Sequence, residues 1–315
     1  MQWFAQAPSN IALIKYMGKK EGAGNLPINP SLSYTLPNLL STVVLEKQSG
    51  KKDFWEPLEI PGAMHFELSN KAQERYLEHL QRLKAYFDYN GAFLVRSSNN
   101  FPHSSGLASS ASSFAALTKC AVAALSELTG KPLPSIETQA QLSREGSGSS
   151  CRSFFSPWAL WEEKEVFAID LPYQGLLHQV IIISHGEKKI SSGEAHARIR
   201  TSQFYEGRAQ RAKDNLASLS TALKSKNWQN AYHICWREFQ DMHHLFTTSS
   251  EPFSYITTET NQVLDSLQAL WQREGDGPIV TMDAGPNIHL LYRSDQKQLA
   301  GTFKKEYLIG NYDVI

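Results

Sequence analysis

The stretch PHSSGLASSAS, residues 102–112, leads directly into a predicted helix of small and apolar residues. Gly106 permits close approach of the backbone to a ligand, or a positive φ. The start of a helix offers unpaired N–H groups and the positive end of the helix dipole, which together bind phosphate. Hydroxyl donors are supplied by Ser104, Ser105, Ser109 and Ser110. The residues alone fit a phosphate-binding loop and a serine-capped buried helix about equally well, and they do not match the P-loop pattern G-x-x-x-x-G-K-[ST].

Composition limits the classes of protein that this chain can be. Its 315 residues are 41% hydrophobic and 20% charged, which is typical of a globular protein with room for two domains that share a cleft. Lys+Arg and Asp+Glu are both 31, so the basic excess of a nucleic-acid binder is missing. Three cysteines make no disulfide framework, and no secretory signal or membrane-spanning stretch is evident. We therefore expect a cytoplasmic protein that binds neither nucleic acid nor membrane.

Hydrophobic periodicity predicts strands and helices that are grouped rather than strictly alternating, which is typical of an α+β fold. The predicted strands are residues 11–14, 31–36, 42–46, 92–97, 166–170, 179–184, 279–282 and 288–292. The predicted helices are residues 71–87, 105–128, 203–226, 228–246 and 256–273. A long apolar strand ends in polar, glycine-containing sequence at residues 184–192, where we expect the chain to divide.

Two lysines and a tyrosine lie at the end of the first predicted strand, in the sequence APSNIALIKYMGK of residues 7–19. Lys15, Tyr16 and Lys19 suit an anionic ligand, because ammonium and hydroxyl groups donate hydrogen bonds to phosphate or carboxylate. The residues alone also fit an edge strand with solvated lysines.

A segment rich in serine and glycine, SREGSGSSCRSFF of residues 143–155, contains the guanidinium group of Arg152. Such a segment offers many donors, and a guanidinium group binds carboxylate or phosphate in bidentate fashion. A flexible surface loop is the alternative interpretation. Cys151 has no histidine near it in the sequence, so we interpret it as a structural residue.

One carboxylate, Asp283, lies between a predicted strand and a Gly-Pro turn in TMDAGPNIHLL, residues 281–291. The ends of regular elements are common places for catalytic groups. Aspartate is also common in turns for purely structural reasons.

Four of these segments, in order along the chain, resemble the mevalonate diphosphate decarboxylase family of the GHMP kinase superfamily. The resemblance is carried by APSNIALIKYMGK, by NNFPHSSGLASSASSFAAL of residues 99–117, by Gly-Ser-Gly-Ser-x-Cys-Arg-Ser from Gly146, and by Asp-Ala-Gly-Pro-Asn from Asp283. It implies a two-lobed GHMP kinase-like fold with the active site in the cleft between the lobes. It also implies an N-terminal ATP-binding domain over residues 1–185 and a C-terminal domain over residues 186–315.

The resemblance also implies a role for each candidate residue. Asp283, Lys15 and Arg152 would be catalytic, and Arg152 would also grip the carboxylate of the substrate. Substrate binding would involve Tyr16, Lys19, Ser147 and Ser149, of which the two serines would hold a diphosphate. ATP would be bound by Ser104, Ser105, Gly106, Leu107, Ala108, Ser109 and Ser110.

The implied reaction is the ATP-dependent decarboxylation of mevalonate 5-diphosphate to isopentenyl diphosphate, after phosphorylation of the 3-hydroxyl has made a good leaving group. Mg²⁺ would be bound mainly through the phosphates, because no all-protein metal site is evident in the sequence. The alternatives are a decarboxylase of mevalonate 5-phosphate, a mevalonate 3-kinase-like enzyme and a catalytically inactive, nucleotide-responsive scaffold. We also allow for a homodimer.

Several positions depart from the family pattern. Met17 stands where the family usually has Trp, and Pro30, which has no N–H to donate, stands where a small polar or acidic residue is usual. The segment KKISSGEAHARIRTS of residues 188–202 matches less well, with Gly193 in place of Thr and His196 in place of Met. We interpret His196 as a surface histidine at the start of a helix rather than as a ligand contact.

Overall fold

The computed structural model describes residues 1–22, 24–64, 67–102, 109–184, 189–310 and 312–314, without the side chain of Tyr307. Within this part of the chain the strands form two sheets, and helices pack against them. The predicted α+β class is therefore confirmed. No described helix is both long enough and apolar enough to cross a membrane.

The first sheet is built around one long strand. Its strands are β1 Gln2–Ile14, β2 Ser31–Gln48, β3 Phe54–Pro57, β4 Ala92–Asn99, β5 Trp158–Glu162 and β6 Glu165–Ala168. The order is β3-β4-β2-β5-β6, and β1 pairs with β2. All neighbours are antiparallel except β3 and β4. The 18-residue β2 thus ties β1 to the rest of the sheet.

One irregularity in this sheet explains a difference from the sequence prediction. The pairing of β1 with β2 shifts register between Pro8, which faces Leu40, and Ser9, which faces Leu36. Pro37 lies in this gap, and proline has no N–H to donate to the ladder. The sequence therefore predicts two short strands, at residues 31–36 and 42–46, where the structure has one strand with a bulge.

The second sheet contains the turn that carries Asp283. Its strands are β7 Leu177–Ile182, β8 Ile279–Met282, β9 Ile288–Tyr292 and β10 Asp313–Val314. They are all antiparallel, in the order β10-β7-β9-β8. The bounds of β8 and β9 are those predicted. Because β7 belongs to this sheet but precedes residue 185, the division into residues 1–185 and 186–315 stays a prediction.

The helices have clear sequence signals at their ends. They are α1 Asn70–Tyr86, α2 Ser109–Thr129, α3 Ile136–Gly146, α4 Ser192–Arg198, α5 Arg208–Lys224, α6 Trp228–Thr247, α7 Thr258–Glu274 and α8 Lys297–Phe303. Shorter helical segments are Gly148–Phe154, Ile199–Thr201, Ser294–Gln296 and Lys304–Leu308. Side-chain N-caps are provided by Ser69, Ser135, Ser191, Asn227 and Thr257. The sequence predicted α1, α6 and α7 to within about two residues and began α5 five residues too early, and it missed α3, α8, β3, β5 and β10.

The largest hydrophobic core joins the two sheets. Ile11, Leu13 and Ile14 of β1 are completely buried in it, together with Val180 of β7 and Ile288 of β9, and residues of α5, α6 and α7 close it. Burying one such side chain stabilises a fold by about 1.5–3 kcal/mol. This packing fixes the end of β1 beside the second sheet. A separate core lies between the first sheet and helices α1 and α2.

Candidate active site

The end of β1 meets the turn after β8. Nζ of Lys15 lies 2.8 Å from Oδ1 of Asp283. Lys15 is buried, with 1% of its surface exposed, whereas Asp283 is partly exposed. Burial lowers the pKa of Lys15, and the charges of Asp283 and Glu238 act in the opposite direction. The structure therefore brings together two of the three residues that the sequence predicts to be catalytic.

The turn that carries Asp283 is fixed from both sides. The N–H of Gly285 donates to the carbonyl of Asp283 at 2.8 Å, and Nε2 of His243 donates to the same carbonyl at 3.1 Å. The amide oxygen of Asn287 accepts from the N–H of Ile183 at 2.8 Å, just beyond β7. These contacts hold the backbone of Asp283 and leave its carboxylate to face Lys15.

Arg152 lies in the short helix Gly148–Phe154 and is buried, with 3% of its surface exposed. Its Nη1 donates to Oγ of Ser31 at 2.9 Å, and its Nε donates to Oδ1 of Asn10 at 3.3 Å. Asn10 is itself held, because its Nδ2 donates to Oγ of Ser153 at 2.8 Å. Within the described part of the chain, no carboxylate lies within ion-pair distance of Arg152. Burying an unpaired charge is costly, so this arrangement calls for an anionic ligand.

The charge of Asp283 reaches Arg152. Burial lowers the pKa of Arg152, and the charge of Asp283 acts to raise it. Burial also raises the pKa of Cys151 to about 12, and its thiol donates to the carbonyl of Gly148 at 3.2 Å. Cys151 is therefore a neutral, packed side chain, as the sequence predicts.

Tyr16 is packed between two rings. Its ring centroid lies 4.7 Å from that of Trp161 and 4.6 Å from that of His196, and its hydroxyl donates to the carbonyl of Asn25 at 2.9 Å. A Cβ atom at Gly148 would lie 2.6 Å from the Tyr16 ring. Glycine at this position is therefore needed for the loop to approach Tyr16.

Lys19 belongs to a cluster of cations beside Tyr16. Nζ of Lys19 donates to Oδ1 of Asn25 at 2.8 Å, and Nη2 of Arg75 donates to the carbonyl of Gly146 at 2.7 Å. Arg144 donates to the carbonyl of Gly24. Burial lowers the pKa of Lys19, and the charge of Arg75 lowers it further.

The protein partners of this cluster are neutral. None of Lys19, Arg75 and Arg144 forms an ion pair with a carboxylate among the described residues. Cations held this close together repel one another, and a bound anion would relieve the repulsion. The sequence analysis named Lys19 but missed Arg75 and Arg144, although Arg144 lies inside the quoted segment SREGSGSSCRSFF.

The serine-rich loop, by which we mean residues 146–150, meets the start of α2. Oγ of Ser147 lies 3.4 Å from Oγ of Ser110, and Ser149 is half-buried and accepts from Asn10 through its carbonyl. Ser109 and Ser110 begin α2. The other predicted ATP-binding residues lie outside the described part of the chain: Ser104, Ser105, Gly106, Leu107 and Ala108.

His196 is not the surface residue that the sequence analysis predicts, and that interpretation was wrong. Only 7% of its surface is exposed. Its Nδ1 accepts from the N–H of Gly18 at 2.9 Å, and burial lowers its pKa to about 3, so the ring is neutral. Periodicity could not show this, because α4 is only seven residues long and packs on the segment that follows β1.

Two other departures from the family pattern have simple structural accounts. Met17 is buried among Ala195, Met242 and Phe246, where an apolar side chain is required. The carbonyl of Pro30 accepts from Nδ2 of Asn29 at 2.7 Å, so the turn before β2 is held without an N–H from Pro30.

An open cavity of about 370 Å³ lies at the C-terminal ends of β3 and β4. It is lined by Pro57, Leu58, Glu59, Ile60, Pro61, Ala63, Met64 and Ser97. Ser97 belongs to β4, whose end leads into the predicted phosphate-binding loop. The sequence does not predict a site in this region.

Across the described residues, no group of three or more His, Cys, Asp and Glu side chains could hold a metal ion.

Comparison with known proteins places this geometry in one family. The model of the diphosphomevalonate decarboxylase-like N-terminal domain matches residues 7–168, and that of the mevalonate 5-diphosphate decarboxylase C-terminal domain matches residues 179–311. The chain is similar to the diphosphomevalonate decarboxylase of Aspergillus fumigatus, with 30% identity over 95% of this chain and 78% of the relative.

Solved structures agree with these matches. A mevalonate diphosphate decarboxylase from Legionella pneumophila is 66% identical, covers 100% of both chains and superposes with a TM-score of 0.95. MDDEF, solved in complex with MVAPP, AMPPCP and magnesium, is 29% identical over 100% of this chain and 96% of that chain, with a TM-score of 0.86. The GHMP kinase-like fold is thereby confirmed, and the chain belongs to the mevalonate diphosphate decarboxylase family.

Proposed function

We propose that this chain converts mevalonate 5-diphosphate and ATP into isopentenyl diphosphate, ADP, phosphate and carbon dioxide. The observation that carries the proposal is the buried guanidinium group of Arg152, which has no carboxylate partner among the described residues and lies within the electrostatic reach of Asp283 in the Lys15–Asp283 pair. Arg152 suits the carboxylate that leaves as carbon dioxide. The Lys15–Asp283 pair suits the hydroxyl that must first be phosphorylated. Family membership supports the same reaction.

The cation cluster suits the diphosphate end of the substrate. Lys19, Arg75 and Arg144 have no carboxylate partner within the described chain, and a diphosphate carries more negative charge to neutralise them than a monophosphate does. Tyr16, Ser147 and Ser149 complete this site in the proposal. These six residues, with Arg152 for the carboxylate, would fix both ends of the substrate. Such fixation converts binding energy into alignment of the reacting atoms.

Asp283 has the central chemical role in the proposal. Its carboxylate orients the 3-hydroxyl and accepts its proton as the phosphoryl group is transferred, which is worth about 10²–10⁴ in rate. The ammonium group of Lys15 lies 2.8 Å from this carboxylate, and a neighbouring cation makes a carboxylate a weaker base. Lys15 therefore contributes mainly by stabilising negative charge on the transferring phosphoryl group. Loss of phosphate and carbon dioxide then leaves the alkene.

ATP and Mg²⁺ complete the proposed reaction, and the solved complex of MDDEF with MVAPP, AMPPCP and magnesium supports their inclusion. We assign the phosphates to residues 104–110, of which Ser109 and Ser110 begin α2. The adenine ring would occupy the cavity at β3 and β4, whose size suits a small ligand. Mg²⁺ would neutralise phosphate charge when bound. Since the described residues contain no cluster of protein ligands, we propose that the phosphates carry the ion.

The remaining parts of the proposal concern organisation. Three buried, unpaired cysteines suit a reducing cytoplasm. We keep the division into an ATP-binding domain of residues 1–185 and a C-terminal domain of residues 186–315. A homodimer is the proposed assembly, and light scattering of the purified protein tests it.

A product assay tests the proposed reaction. The protein is incubated with ATP, Mg²⁺ and mevalonate 5-diphosphate, and isopentenyl diphosphate, ADP, phosphate and carbon dioxide are measured together. Equal amounts of all four products are expected. ADP without carbon dioxide would indicate a 3-kinase, and faster turnover of mevalonate 5-phosphate would indicate a monophosphate decarboxylase. A folded protein that consumes no ATP would indicate a scaffold.

A further inference from the structure

Side chains of α5 and α6 hold the peptide of Lys15. The N–H of Lys15 donates to Oε1 of Glu238 at 3.0 Å, and the carbonyl of Lys15 accepts from Nη2 of Arg208 at 3.2 Å. Nδ2 of Asn29 donates to the same carbonyl at 2.9 Å. Lys15 lies one residue beyond β1, outside the paired ladder. Its backbone is therefore held by α5, α6 and Asn29 in the turn before β2, and not by the ladder of its own sheet.

The holding pair is itself completely buried. Arg208 and Glu238 are both 0% exposed, and Nη2 of Arg208 donates to the same oxygen of Glu238 that accepts from Lys15. Nδ2 of Asn215 donates to the other carboxylate oxygen at 2.6 Å. A buried ion pair is often replaceable by apolar side chains without loss of stability. Packing of α5 against α6 therefore does not explain why this pair is charged. Its contacts with the Lys15 peptide do, because Glu238 accepts from the N–H of Lys15 and Arg208 donates to the carbonyl.

We propose that Glu238 and Arg208 are positioning residues, which hold the Lys15 peptide so that its ammonium group lies against Asp283. This proposal rests on the proposed function, in which Lys15 and Asp283 act at the phosphoryl group and the hydroxyl. Glu238 adds a charge effect, because its carboxylate lies beside Lys15 and favours the protonated ammonium. Arg208 does not favour the protonated ammonium group of Lys15 in this way, because Arg208 is itself a cation.

The other titratable groups around Lys15 do not replace Glu238. Asp283 faces the ammonium from the turn after β8, and Cys235 and Glu238 face Lys15 from α6. Burial raises the pKa of Cys235, so this thiol stays neutral. Arg208 on α5 contacts the carbonyl of Lys15 and is paired with Glu238. Burial lowers the pKa of Lys15, and only the carboxylates of Asp283 and Glu238 oppose that effect strongly.

Glu238→Gln is the main test, because it keeps the size of the side chain and an oxygen for the N–H of Lys15 but removes the charge. We expect kcat to fall about tenfold or more while KM changes by less than about threefold, since a small displacement of a reacting group is costly in rate. We also expect the alkaline limb of the kcat profile to move to lower pH by about half a unit or more. A purely structural residue would not move that limb.

Two further variants make the test decisive. Asp241→Asn is the matched control, because Asp241 contacts Arg208 at 2.8 Å but does not contact Lys15, and we expect neither kcat nor the limb to change. Arg208→Lys keeps the positive charge but loses the fork that spans Lys15 and Glu238, so kcat should fall while the limb stays in place. The proposal is overturned if Glu238→Gln and Arg208→Lys both fold with parental kcat and pH limb, or if neither folds.

A direct titration separates this proposal from the proposed function. In ¹³C-lysine-labelled protein, the Cε resonance of Lys15, identified by its loss in Lys15→Arg, reports protonation without any turnover. A lower titration midpoint in Glu238→Gln than in the parent supports the role of Glu238 even if the parent decarboxylates nothing. An unchanged midpoint contradicts that role even if the parent makes isopentenyl diphosphate.

Discussion

Nζ of Lys15 lies 2.8 Å from Oδ1 of Asp283, which joins the end of β1 to the turn after β8 across 268 positions of the chain. The side chain of Lys15 is 2% exposed and that of Asp283 is 26% exposed. The carboxylate therefore presents one side to a buried cation and keeps accessible surface for a substrate hydroxyl. This asymmetry is what a group that orients and partly deprotonates a hydroxyl requires.

Asp283→Asn should abolish most of the turnover. The amide keeps the shape of the side chain but loses the charge and the basic oxygen, so we expect kcat to fall by about 10³ or more with little change in substrate binding. Steady-state release of phosphate and carbon dioxide measures the effect, and a melting curve checks the fold. Asp295→Asn is the control, because Asp295 is exposed and pairs with Arg293. A folded Asp283→Asn that turns over within about tenfold of the parent would remove Asp283 from the catalytic role.

Arg75→Met should weaken binding of the diphosphate. Nη2 of Arg75 contacts the carbonyl of Gly146, so the guanidinium lies beside the serine-rich loop with no carboxylate partner within the described chain. We expect KM for mevalonate 5-diphosphate to rise about tenfold to a hundredfold with a smaller change in kcat, because a charge-assisted hydrogen bond is worth about 1.5–3 kcal/mol.

A neighbouring arginine provides the control for that variant. Arg82 lies on the same helix, is exposed and pairs with Glu78. Arg82→Met should leave KM unchanged, because exposed ion pairs of this kind contribute little. Equal effects of the two substitutions on KM would mean that general positive charge on α1, and not contact with the ligand, attracts the substrate.

The sequence predicted those site residues that lie in short, ordered motifs. Lys15, Arg152 and Asp283 are each found next to a strand end or a glycine-rich turn, and the structure pairs Lys15 with Asp283, whose charge also acts on Arg152. Arg75 carries no such signal, because a charged residue on an amphipathic helix has the pattern of a solvated face. Its role depends on the loop that packs against α1, which only tertiary structure reveals.

The errors in the predicted elements have similar physical causes. Residues 31–48 form one strand because Pro37 lies in the bulge, where its missing N–H interrupts no pairing, and β1 pairs with β2 on both sides of that bulge. The residues of β5, WALWE, are mostly buried and lack a clear alternation, so tertiary packing decides their structure. The contact of His196 with Gly18 joins residues 178 positions apart, and no local pattern indicates it.

His196→Phe should weaken substrate binding and stability together. Phenylalanine keeps a ring against Tyr16 but leaves the buried N–H of Gly18 without an acceptor, which costs about 1–3 kcal/mol of unfolding free energy. Because Gly18 precedes Lys19, we expect KM to rise several-fold while kcat stays within about threefold. Urea unfolding and steady-state kinetics measure the two effects. His244→Phe, at an exposed position of α6, should change neither quantity, and an equal loss there would contradict the role of His196.

The buried His79 gives the fold a predictable sensitivity to acid. Oγ1 of Thr118 donates to the carbonyl of Phe114 at 2.8 Å, so it accepts from Nε2 of His79 at 2.9 Å, and Nδ1 of His79 is buried without a hydrogen-bond partner among the described residues. Burial lowers the pKa of His79 to about 3, and the charges of Arg82 and Arg75 act in the same direction. The folded protein therefore resists protonation of a group that the unfolded chain protonates near pH 6.5.

The sign of the resulting pH dependence follows from proton linkage. Between pH 6.5 and about 3 the unfolded state binds a proton at His79 that the folded state does not, so stability decreases as the pH falls through this window. One such group contributes about 1.4 kcal/mol per pH unit.

His79→Leu removes the titration and leaves the Thr118 hydroxyl its bond to Phe114, so urea unfolding between pH 7 and 5 should show a shallower loss of stability than the parent. The difference between the two slopes isolates His79 from His196, whose pKa is also about 3. His233→Leu, at an exposed position of α6, is the control and should keep the parental slope. Parallel slopes for His79→Leu and the parent would show that His79 is protonated as readily in the folded protein as in the unfolded chain.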